Sequence, residues 1–166
     1  MKILLKHKNT LVGFGCILVL GIAARWLSGV VYSAAEAQDL IASLSRSALY
    51  LGSAIATSSA TTIALMLTIV GLVNRLDQDF DVEFFQRITL ISKACAVNLM
   101  GAIALLMIVT MPVGEFDRLP DNWYSILYDL IFWMVVLLCA LSVSIVLILL
   151  RTIVELIHQF APSVDS

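Results

Sequence analysis

The stretch WYSILYDLIFWMVVLLCALSVSIVLILL (residues 123–150) contains one charged side chain, Asp129, in an otherwise apolar run. A helix that crosses the hydrocarbon of a bilayer needs about 20 predominantly apolar residues. This run exceeds that length, so it reads as a membrane-spanning helix that tilts or projects beyond the bilayer. Three further stretches meet the same criterion, at about 10–31, 48–74 and 91–112. None of the four alternates in the manner of a barrel strand.

Composition supports lipid as the solvent. The chain of 166 residues is 61% hydrophobic and 13% charged, against about 45–50% and about 25% in soluble domains. Little chain is left between the spans. A single all-α domain over residues 1–166 is therefore expected, an integral membrane four-helix bundle of up-and-down topology. A net charge of −2 gives no electrostatic footprint for nucleic acid. The first span follows Lys2, Lys6 and Lys8 as a signal peptide would. Its nearest small-residue site, Ala35-Glu36-Ala37, falls too far beyond the apolar core for cleavage, so the span reads as a retained helix.

Direction follows from the basic residues. Lys2, Lys6, Lys8, Arg75, Arg87, Lys93 and Arg151 gather at one side if the N-terminus is cytoplasmic, leaving Arg25, Arg46 and Arg118 toward the other. The positive-inside bias predicts that both termini are cytoplasmic. Trp26, Trp123 and Tyr124 then fit the outer aromatic belt. Residues 33–47 (SAAEAQDLIASLSRS) place Ala34, Ala37, Leu40, Ile41 and Leu44 at helical spacing. This predicts a short amphipathic helix that precedes the second span or extends it.

Catalytic signatures are absent. The chain has no HExxH, CxxC, GxSxG or phosphate-binding glycine loop, and Cys16, Cys95 and Cys139 sit singly within apolar runs. No enzyme activity, cofactor or metal is expected. The acidic loop DQDFDVE, with Asp77, Asp79, Asp81 and Glu83, imitates the start of a calcium loop. The glycine and glutamate such a loop requires are replaced by Val82 and Ile88. A solvated acidic inner loop is the plainer reading.

Depth arithmetic picks out two intramembrane contacts. Asp129 lies six positions beyond Trp123, and Arg25 six positions before Val31. Both therefore sit about 9 Å below one boundary. A charge at that depth calls for a partner, and an Arg25–Asp129 ion pair is expected between the first and fourth helices. Toward the other boundary, Asn98 and Thr68 are each about 10 Å deep, which predicts an interhelical hydrogen bond.

The second span opens with GSAIATSSATT (residues 52–62). On a helical projection Ser53, Thr57, Ala60, Ala64, Thr68 and Gly71 fall within about 60° of one another. Ile55, Met66, Ile69 and Val73 occupy the opposite face. A small-residue face lets another helix approach closely; alternatively, its hydroxyls line a wet path.

SRSALYLGSAIATSSATTIALML (45–67), the acidic loop and NWYSILYD (122–129) together resemble four-pass membrane proteins of cyanobacteria. That resemblance implies a bacterial inner or thylakoid membrane and brings no activity with it. The expected function is non-enzymatic helix association, as a homo-oligomer or as a small accessory subunit of a larger membrane complex. The alternative is an oligomeric ion channel or small-solute pore lined by the second span. The lipid bilayer itself is the remaining expected partner.

Overall fold

The computed structural model describes residues 8–27, 34–73, 82–110 and 122–160. These residues form four helices: α1 (Lys8–Leu27), α2 (Ala34–Val73), α3 (Val82–Val109) and α4 (Asn122–Phe160). Each contains a segment long and apolar enough to cross a membrane: Thr10–Leu27, Ser43–Leu72, Phe84–Val109 and Ser125–Val154. Hydrocarbon offers backbone N–H and C=O groups no partner, and a helix satisfies them within its own segment. That requirement, more than helix propensity, makes apolar runs of this length helical.

Two helices outrun the bilayer. The 40 residues of α2 and the 39 of α4 each extend to about 60 Å, roughly twice the hydrocarbon thickness. The segment expected to be amphipathic is continuous with the second span, since α2 starts at Ala34 without a break. Likewise α3 starts at Val82, well before residue 91. Arg46 lies just outside the expected second span and Lys93 just inside the third, yet both lie within helix and are exposed. Long basic side chains reach back to polar surroundings without interrupting the backbone.

α2, α3 and α4 pack against one another, and α1 packs chiefly on α4. The core has two apolar layers. One unites Ala48 and Ile55 of α2, Ala102 and Leu105 of α3, and Ile131 and Leu138 of α4. The other unites Met66 of α2, Ile88, Ile91 and Cys95 of α3, and Ile145 of α4. From the first layer to the second, numbering rises in α2 and α4 and falls in α3. The three helices are therefore alternately antiparallel. Arg25 and Gly21 of α1 meet Asp129 and Val136 of α4, while Gly13 meets Val143 and Leu147. α1 accordingly runs antiparallel to α4, which completes an up-and-down bundle.

α1 is apolar nearly all round: Leu11, Val12, Val19, Leu20 and Ile22 are each more than half exposed. Lipid is as apolar as these side chains, so they gain nothing by turning inward, and attachment depends on close packing. Gly21 supplies it. A Cβ there would stand 2.5 Å from Val136 Cγ1 and 3.3 Å from Val136 Cβ. Val136 is β-branched and its χ1 is restricted, so it cannot swing clear. At Gly13 the obstacle is the flexible end of Leu147, and at Gly15 nothing lies within 4 Å.

The three glycines should therefore respond differently to alanine. Gly15→Ala should be neutral or slightly stabilising, because alanine favours helix by about 1 kcal/mol. Gly21→Ala should destabilise by about 1–3 kcal/mol through overpacking, with Gly13→Ala in between. Thermal unfolding in one detergent ranks them; equal midpoints for Gly15→Ala and Gly21→Ala would remove the close approach.

Candidate functional site

Three polar features stand out in the bundle. The innermost is Asn98, 1% exposed on α3. Its Nδ2 donates to Ser59 Oγ on α2 at 3.2 Å and to Ser142 Oγ on α4 at 2.9 Å. Ser142 Oγ in turn donates a hydrogen bond to the Leu138 carbonyl at 2.8 Å. The amide thus ties the three core helices together between the two apolar layers. Asn98 Oδ1 is buried and takes no hydrogen bond from the described residues.

The contact differs from the expected Thr68–Asn98 hydrogen bond. Thr68 is exposed and donates to the Ala64 carbonyl of its own helix at 3.0 Å. Depth was counted from residue 91, whereas α3 begins nine residues earlier, at Val82. Met66 consequently packs at the level of Ile88 and Ile91, and Asn98 reaches the turn of α2 that contains Ser59. The sequence does hold the correct signal: Ser59 lies on the Ile55–Met66 side of α2, where burial falls.

The second feature joins α1 to α4. Arg25 Nη2 approaches Asp129 Oδ1 to 3.0 Å, and Arg25 Nε donates to the same oxygen at 3.1 Å. The guanidinium also lies 5.9 Å from the centroid of the Tyr128 ring, within reach of a cation–π attraction. Tyr128 is buried and stacks on Phe132, giving the pair an aromatic floor. The side chains remain 28% and 41% exposed, so the pair is open on one side.

The third feature is the small-residue face of α2. Ser53, Thr57, Ala60, Ala64, Thr68 and Gly71 are all exposed, while Ile55 and Met66 opposite them are 5% and 3% exposed. None of the four described helices covers this face, and a Cβ built on Gly71 meets nothing within 4 Å. Its hydroxyls are occupied locally. Ser53 donates to the Leu49 carbonyl at 3.0 Å, Thr57 to Ser53 at 2.9 Å and neighbouring Thr61 to Thr57 at 2.8 Å.

Asp77, Asp79 and Asp81 lie outside the described residues; Glu83 is described only as part of the α3 backbone. Among the described residues no three His, Cys, Asp or Glu side chains come together as metal ligands. Cys16, Cys95 and Cys139 are free thiols. Comparison with known proteins gives no match to a family model, a curated sequence or a solved structure.

The ion pair can be measured by a double-mutant cycle. Asp129→Asn and Arg25→Gln should each lower the unfolding midpoint, and the double variant should lose less than their sum, with a coupling of about 1 kcal/mol. Strict additivity would mean that the two side chains do not interact in the membrane.

Proposed function

We propose that this is a non-enzymatic integral membrane protein that works by helix association, the outward face of α2 being the surface that meets a second copy or a larger membrane complex. The observation that carries the reading is an uncovered stripe of small residues along α2. Ile55 and Met66 pack inside the protomer, while Ser53, Thr57, Ala60, Ala64, Thr68 and Gly71 are turned outward as a low strip beside the exposed Leu49, Leu65, Leu67 and Leu72. Lipid gains nothing from small side chains, whereas a neighbouring helix gains dispersion contact wherever they let backbones approach. The two long helices, α2 and α4, add surface beyond the bilayer for the same purpose.

Packing is favoured over conduction by the hydrogen bonds of the face. A wet path needs hydroxyls aimed at water or ions, while Ser53, Thr57 and Thr68 donate to carbonyls of the preceding turn. Such back-bonding leaves a face that is small and weakly polar, suited to protein. The distribution of basic residues supports placing the start of α1 and the end of α4 on the cytoplasmic side, and the resemblance to cyanobacterial four-pass proteins supports a bacterial inner or thylakoid membrane.

Thr57→Leu and Ala64→Leu separate the two readings. Under association, both variants should shift purified protein toward the monomer, and neither they nor the native chain should produce ion flux in liposomes. Flux through the native protein, altered by the same substitutions, would replace association with a pore.

A further inference from the structure

The Arg25–Asp129 contact leaves part of the carboxylate unused. Both guanidinium nitrogens, Nε and Nη2, converge on Asp129 Oδ1. Asp129 Oδ2 takes no hydrogen bond from the described residues, and the side chain is 41% exposed. Asp129 lies four positions inside the membrane-spanning segment that begins at Ser125, about 6 Å along the helix axis. An anionic oxygen open to lipid at that depth needs a donor from its surroundings, because neither hydrocarbon nor an apolar neighbour supplies one.

The surroundings define which donor fits. On the membrane-interior side of the pair, Ile22 lies one turn from Arg25 on α1, and Trp133 and Leu137 follow Asp129 at four-residue intervals on α4. These three are 51%, 38% and 50% exposed. A polar contact at headgroup depth thus continues directly into an apolar strip. That sequence of surfaces matches a lipid, with a head above and chains below, better than it matches a soluble molecule.

We infer that the Arg25–Asp129 pair is a binding site for a lipid whose headgroup has a primary ammonium beside a phosphate. The ammonium donates to Asp129 Oδ2. The positive guanidinium alongside favours the adjacent phosphate, so the zwitterion of the head is met charge for charge. The acyl chains lie against Trp133, Leu137 and Ile22. A quaternary ammonium has the same charge and no N–H, so it cannot make the hydrogen bond. The site does not depend on whether the α2 face associates with another helix.

The test uses the purified full-length chain in detergent micelles supplemented with one phospholipid at a time, acyl chains held constant. The headgroups are ethanolamine, its N-methyl and N,N-dimethyl forms, and choline. Thermal stabilisation should fall along this series as donors are removed, with ethanolamine about 3 °C above choline, the size of shift expected for a modest binding term. The Arg25→Leu/Asp129→Leu double variant, which leaves no solitary charge in the membrane, should respond equally to all four lipids. Equal midpoints for the native chain would overturn the site. So would a graded response that persists in the double variant, since the lipid would then be acting elsewhere.

Discussion

The arrangement of the core depends on one buried amide. Asn98 joins Ser59 and Ser142 between two layers of α2, α3 and α4 that are apolar and tolerant of sliding. Apolar side chains in lipid can exchange one neighbour for another at little cost, because they are not escaping from water. A carboxamide with 1% exposure has no such freedom. Shifting α3 by one turn would take Nδ2 away from both serine oxygens and leave a second unsatisfied polar atom beside Oδ1. A polar side chain that specifies register in this way is best known from coiled coils. Here the same constraint acts on three helices at once.

Around that fixed point the remaining features fall into place. The register set by Asn98 puts Met66 beside Ile88 and Ile91, and Ile55 in the layer of Leu105 and Leu138. Once α2 has committed Ile55, Ser59 and Met66 inward, its small face from Ser53 to Gly71 is necessarily turned out. α1 is held by different means. It lacks a share in the amide contact and relies on the close approach at Gly21 and on Arg25 meeting Asp129 at the far end. The bundle is a three-helix core with a fourth helix attached along one side of α4.

The sequence was informative where one residue type settles the matter and less so where register does. Four spans follow from apolar length alone. The Arg25–Asp129 contact also follows from counting, because Trp123 marks the start of α4 to within a residue of Asn122. The Asn98 partner did not. Its depth was reckoned from residue 91, and the helix continues past that point through Arg87 to Val82. A side chain that reaches the interface lets a span begin earlier than its charges suggest. The polarity of α2 was legible as a pattern, though not which side faced the protomer. In a soluble protein the bulky face turns inward by rule, while in lipid either face can, and shape complementarity decides.

The central claim is therefore one of register, and disulfide trapping in membranes reads it most directly. In a background with Cys16, Cys95 and Cys139 replaced by alanine and Asn98 retained, cysteine pairs at 52 and 106, 101 and 138, and 61 and 106 would be oxidised and scored by mobility after cleavage of the chain between the helices. Cross-linking of Gly52→Cys/Leu106→Cys and Gly101→Cys/Leu138→Cys, lost when Asn98→Leu is added, with none for Thr61→Cys/Leu106→Cys, is the predicted outcome. Efficient cross-linking of the 61–106 pair, or cross-linking of the first two that is unchanged by Asn98→Leu, would contradict it.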